Sequence, residues 1–168
     1  MPDFLTRQSQ DAVERDLATK MVLLAGPRQC GKTTLARALI ERRNGAYFNY
    51  DAAPHRQSIR TGEFPEEKTL WVFDELHKFR TWRNWLKGVY DLHHERHEIL
   101  VTGSARLDLY GRGGDSLQGR YFRHRLHPFT LSEVTGSKPR DPDEMAAMDH
   151  AIPTGAHEAL GRLMERGN

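Results

Sequence analysis

Gly26, Gly31, Lys32 and Thr33 stand in the stretch GPRQCGKT at the spacing G-x-x-x-x-G-K-[ST], a pattern whose chemistry is the capture of a polyphosphate. The glycines let the backbone curl until successive N–H groups point inward. That makes a concave anion nest at the positive end of the following helix. Its members run Gly26, Pro27, Arg28, Gln29, Cys30, Gly31, Lys32, Thr33 and Thr34, with Pro27 stiffening the turn. Lys32 has the reach for the terminal phosphates, and the Thr33 hydroxyl suits a Mg²⁺ shell. The bland alternative is a glycine turn that merely caps a helix. The apolar run before the loop and the helical spacing after it favour the phosphate.

LWVFDE supplies a second requirement of phosphate chemistry. At the end of an apolar run, Asp74 can hold a magnesium water, while Glu75 can orient and deprotonate an attacking water. Thr102 and Ser104 in LVTGS end another apolar run, where a hydroxyl would contact the γ-phosphate or the water. A plain strand-to-turn transition would look the same there. Residues 105–127 carry Arg106, Arg112, Arg120, Arg123 and Arg125 against Asp108 and Asp115. An arginine of this segment, Arg120 first, is a candidate to neutralise charge on a transferring phosphoryl group, in cis or from a neighbouring subunit. Arg123 and Arg125 equally fit a solvated basic edge strand or a polyanion patch.

Three other features read mainly as scaffold. His93 and His97 have the i, i+4 spacing of metal ligands, but Glu95 and Arg96 beside them suggest a solvated helix end. Trp71, Trp82 and Trp85 suit helix-on-sheet packing better than base stacking. Cys30, inside the loop at a helix start, is expected to fill space, and its position predicts alkylation that bound nucleotide would block.

These residues need particular elements to hold them. MVLLA (21–25) reads as a strand buried on both faces, and Leu35, Ala36, Leu39 and Ile40 recur at helical spacing until Asn44-Gly45. Further strands are expected in residues 46–51, 70–75 and 98–104, with a last one within 121–129. Trp82, Trp85, Leu86 and Val89 define a helix face. Strands alternating with helices predict an α/β protein with a mostly parallel sheet covered on both faces, whose ligands sit at the carboxyl ends of the strands. Residues 1–135 are expected to form the core, and 136–168 a Pro/Asp/Gly/Ser-rich linker with a short helix at about 155–166.

Among 168 residues, 38% are apolar and 29% charged, and no apolar run approaches the roughly 20 residues of a membrane helix. The composition is that of a soluble protein with no membrane partner. Asp3 and the lack of a long apolar stretch near the N-terminus argue against a secretory signal, so the expected location is cytoplasmic. The net charge of +2 does not by itself imply a polyanion partner, and one cysteine excludes an intrachain disulfide.

The chain resembles the AAA-type ATP-binding proteins of bacteria and archaea that open on a GPRQxGKTTL loop. GPRQCGKTTL, VFDELHKF, WLKGVYDL, ILVTGSARL and GRYFRHRLHPFTLSE occur here in the family's order, over about residues 5–134. The resemblance implies an additional-strand, three-layer P-loop NTPase core that binds ATP with Mg²⁺ through Gly26 to Thr34 and uses Asp74 and Glu75. It also implies a polar sensor at Thr102 or Ser104, and it places Arg120 in a segment characteristic of the group. Such proteins usually continue into a large C-terminal domain of uncertain role. This chain, ending at Asn168, reads as an excised or truncated member.

Three functions follow as expectations. The first is an ATPase coupling nucleotide state to an unknown protein or nucleic-acid partner, as a homo-oligomer if its arginine acts in trans. The second is a small-molecule kinase on the same loop, disfavoured by Glu75 and by the lack of an arginine-rich lid. The third is a nucleotide-gated binding module with little turnover that presents its basic segment to DNA, RNA or a protein.

Overall fold

MVLLA has no polar position, so a strand built from it must be covered on both faces. That is how it lies in the computed structural model, which describes residues 9–104, 107, 117–130 and 133. In chain order the elements are α1 (Gln10–Leu17), β1 (Met21–Ala25), α2 (Lys32–Arg42), β2 (Gly45–Asn49), α3 (Ala53–Thr61), β3 (Leu70–Asp74), a 3₁₀ turn (Leu76–Lys78), α4 (Trp82–His93), β4 (Glu98–Gly103) and β5 (Tyr121–Arg125). The strands form one sheet in the order β2-β3-β4-β1-β5. Every neighbouring pair is parallel. The strand before the loop, β1, is therefore separated from the acidic strand β3 by the inserted β4.

Period-two alternation divides the core between two faces. Met21, Leu23 and Ala25, with Trp71, Phe73, Ile99 and Val101, face Ile59 of α3 and Trp82, Leu86, Val89 and Tyr90 of α4. Val22, Leu24, Val72 and Leu100 face Val13 and Leu17 of α1 and Leu35, Ala36 and Leu39 of α2. This is the expected three-layer arrangement. The tryptophans belong to packing, as their spacing suggests: Trp71 is fully buried, and Trp85 meets Phe73 edge-on at 5.2 Å between ring centroids.

Residue Asn44 ends α2 at φ 46°, the left-handed position that asparagine tolerates after a helix. Its neighbour Gly45 starts β2 so close to α2 that an added Cβ would lie 3.0 Å from the Ile40 Cα. Residues Ser9–Pro128 form one compact unit, whereas Phe129, Thr130 and Glu133 belong to another. In the latter, Glu133 accepts from the Thr130 amide, the reciprocal side-chain pattern of a helix start. The expected linker and helix of residues 136–168, together with Arg106, Asp108, Arg112 and Asp115, lie outside the described residues.

Candidate nucleotide site

The loop between β1 and α2 turns through residues of positive φ. Gln29 at φ 62° and Gly31 at φ 91° are left-handed, and Gly31 is the N-cap of α2. No side chain caps that helix and no acid lies in its first turn, so its leading amides and the positive end of its dipole face outward. Pro27, Arg28, Gln29, Thr33 and Thr34 are exposed on this loop and the helix start. Gly26 is buried, and a Cβ there would come within 2.4 Å of the Leu126 carbonyl oxygen. Only glycine lets the chain pass that point.

Lys32 is buried and points back along the loop, where its Nζ donates to the carbonyl oxygens of Gly26 at 3.0 Å and Pro27 at 2.5 Å. The ammonium thus closes the loop on itself. Cys30 is 2% exposed and joins the α2 side of the core. Its buried sulfur corrects the expectation of ready alkylation, since reactivity requires access as well as a favourable helix end.

At the far side of β4, the Asp74 carboxylate is buried at the end of β3 and receives three donors, from β4, from β2 and from the residue that follows β3. Oδ1 accepts from the Thr102 hydroxyl of β4 at 2.5 Å and from the Glu75 amide at 3.0 Å. Oδ2 accepts from the Tyr47 hydroxyl of β2. A carboxylate offers about four acceptor positions, so one on Oδ2 remains for a further donor such as a metal-bound water. Burial first, and then the bond to Asp74, hold the Tyr47 phenol well above the ordinary tyrosine value. It stays a donor throughout the neutral range.

Glu75 follows at φ 55°, a strained position for a side chain with a Cβ. The backbone fixes it there, because its amide bonds both the Thr102 carbonyl and Asp74. The carboxylate is partly exposed, 3.3 Å from the Lys78 ammonium and 3.7 Å from His77 Nε2. A hydrogen bond to Asp51 is the main reason that Lys78 stays charged above its ordinary range. Ser104 places its hydroxyl 3.5 Å from the same His77 nitrogen.

The two expected sensor hydroxyls therefore differ. Thr102 is fully buried and committed to Asp74, whereas Ser104 is partly exposed beside His77 and Glu75. Arg120 is not brought to the loop of its own chain. It precedes β5 at the end of the sheet where strands begin, and β5 runs beside β1 from Met21↔Tyr121 to Ala25↔Arg125. Five residues at about 3.3 Å each separate it from the row that leads into the loop. There it makes a two-bond ion pair with Asp91 of α4, at 2.7 and 3.3 Å, and holds that carboxyl below its ordinary value. Arg125, exposed opposite Ala25, is the arginine at the loop end of the strand.

Tyr47 is a site residue that sequence reading missed, as are His77 and Lys78. A tyrosine in a strand reads simply as a good strand former. The β2–β3 register pairs Asn49 with Asp74, which puts Tyr47 on the same face as its diagonal neighbour.

A sequence profile described as an AAA domain matches residues 18–135, well over half of the sequence. The chain belongs to the AAA domain family. Over 76 residues, 45% of its length, this AAA domain is 36% identical to the large T antigen of bovine polyomavirus and covers 12% of that protein. Among solved structures, it aligns over 100% of its length with 64% of the Aeropyrum pernix ORC1 protein in complex with DNA, at 15% identity and a TM-score of 0.53. It aligns over 88% of its length with 63% of a katanin chain from a structural study of katanin self-assembly, at 16% identity and a TM-score of 0.52. It thus spans less than two thirds of the length of each of these proteins. These structural likenesses establish the fold, and no helix among the described residues is long and apolar enough to cross a membrane.

Proposed function

We propose that this AAA domain, of the group opening on the GPRQxGKTTL loop, binds ATP with magnesium and hydrolyses it, coupling nucleotide state to a partner. The observation that carries the reading is the presence at the carboxyl end of one sheet of an uncapped helix start with Lys32, a buried Asp74 with one acceptor position left, and a strained Glu75. Two strand spacings, about 10 Å, lie between the β1 and β3 ends, which is the scale of a triphosphate with its metal.

The loop amides of residues 26–34 and Lys32 bind the β- and γ-phosphates, with Lys32 exchanging the Gly26 and Pro27 carbonyls for phosphate oxygens. Thr33 and the remaining acceptor position of Asp74 would hold Mg²⁺, which when bound would supply charge neutralisation on the phosphates. Glu75 holds a water in line with the γ-phosphorus and takes its proton as the new P–O bond forms. The bond to the β–γ bridging oxygen breaks, and ADP and phosphate leave. Thr102 positions Asp74, and Ser104 faces the γ-phosphate. Positioning and charge neutralisation supply most of the acceleration in such sites.

With Arg120 at the opposite end of its own sheet, its catalytic use would need a neighbouring copy. The exposed Arg123 and Arg125 of edge strand β5, next to the loop strand, form the surface for a nucleic-acid or protein partner.

Substituting Glu75→Gln keeps the shape and removes the base. The expected result is unchanged ATP affinity with phosphate release lowered by a factor of about 100 or more. Hydrolysis by the variant at the wild-type rate would defeat the reading.

A further inference from the structure

At the other end of the sheet, His93, His97 and Glu66 converge. His93 is the last residue of α4, and the His97 amide bonds the His93 carbonyl oxygen at 2.9 Å, which carries the helical turn on and puts the two rings on one side. Glu66 comes from the turn before β3. That turn is fixed at its base, because the Pro65 carbonyl accepts from the Lys68 amide and from Nε1 of Trp71, both at 3.2 Å. One donor atom from each of the three side chains lies within 4.8 Å of the others.

The decisive detail is the His97 ring, whose side chain is 3% exposed and stacks on Trp71 at 4.0 Å between centroids. Its Nδ1 lies 2.8 Å from the Lys68 carbonyl oxygen, and its Nε2 lies 3.3 Å from Glu66 Oε2. Both neighbours are acceptors. A neutral imidazole carries one N–H for these two acceptors; placed on the nearer carbonyl, it leaves Nε2 with a lone pair facing the carboxylate. A cation between Nε2 and Glu66 resolves that clash, and His93 brings a second imidazole to the same point. A histidine whose outer nitrogen donates to a backbone carbonyl is also the arrangement that fixes a metal-ligating tautomer.

We propose that Glu66, His93 and His97 bind a divalent ion of the zinc class. Two imidazoles and a carboxylate suit Zn²⁺, Co²⁺ or Ni²⁺ rather than the all-oxygen shell preferred by Mg²⁺. Three protein ligands leave a fourth position for water. The ion clamps the turn before β3 to the end of α4, at the end of the sheet away from the nucleotide loop, so the site is independent of the proposed ATP chemistry.

The test is titration of Zn²⁺ into the tag-free, chelator-treated full chain, followed by calorimetry and by melting temperature. Glu66→Gln and His93→Gln, both at incompletely buried positions, are measured alongside, with circular dichroism to confirm that they are folded. Co²⁺ provides a second readout by quenching Trp71 fluorescence. The expected result is one Zn²⁺ site that raises the melting temperature, weakened by more than about tenfold in each variant. The absence of Zn²⁺ binding would overturn the proposal. Binding undiminished in either variant would overturn it as well.

Discussion

Thr102 on β4 donates its hydroxyl proton to Oδ1 of Asp74 on β3 and so holds the acid in place. The pair is in register across the ladder and buried. A buried carboxylate left short of a donor is expensive. Thr102→Val, which keeps the shape, is expected to lower the unfolding free energy by about 1–3 kcal/mol. It should also raise the magnesium concentration needed for half-maximal ATP hydrolysis. Denaturant unfolding and a magnesium titration check the two parts.

Tyr47 makes the corresponding bond from β2. Its proton is held in the folded state well above the ordinary value of 10.0, while the unfolded chain releases it near that value. Above about pH 10 the unfolded state therefore binds fewer protons, and stability falls as pH rises. Below that pH the contribution is fully present. Tyr47→Phe is expected to flatten the alkaline decline by up to about 1.4 kcal/mol per pH unit, seen in urea midpoints taken across pH 9 to 12. Superimposable profiles would contradict the assignment.

Gly26 faces backbone rather than a flexible side chain, so a methyl group cannot be accommodated by a rotamer change. Gly26→Ala is expected to lower stability by about 1–3 kcal/mol or more, and to impair nucleotide binding through the displaced loop. Thermal unfolding with and without Mg-ATP measures both effects.

Arg120 pairs with Asp91, a full strand length from the row of Ala25. Arg120→Ala is therefore expected to leave the ATP affinity of the isolated chain at the wild-type value. An affinity loss at protein concentrations where the chain is monomeric would contradict this placement.

Much of this framework was legible in residue patterns. The strands β1, β3 and β4 announce themselves as continuous apolar runs because they are covered on both faces, and Asn44-Gly45 stops α2 as its chemistry requires. By contrast, α1 and α3 carry weak signals. The first buries Val13 and Leu17 with Gln10, and the second buries only Ile59, too little periodicity to stand out. At the candidate site, the loop and the acidic strand end were readable because glycine spacing and paired acids have local causes. Tyr47 depends on strand register, and the commitment of Thr102 depends on which hydroxyl faces β3. The histidine pair read as a solvated helix end because Glu66, 27 residues upstream of His93, reaches it only through the fold.

Isothermal titration calorimetry of Mg-ATP into the wild-type chain and into Lys32→Ala tests the central claim most directly. A single saturable site is expected in the wild type and its loss in the variant, with both proteins folded. No heat from the wild type, or equal binding by Lys32→Ala, would contradict it.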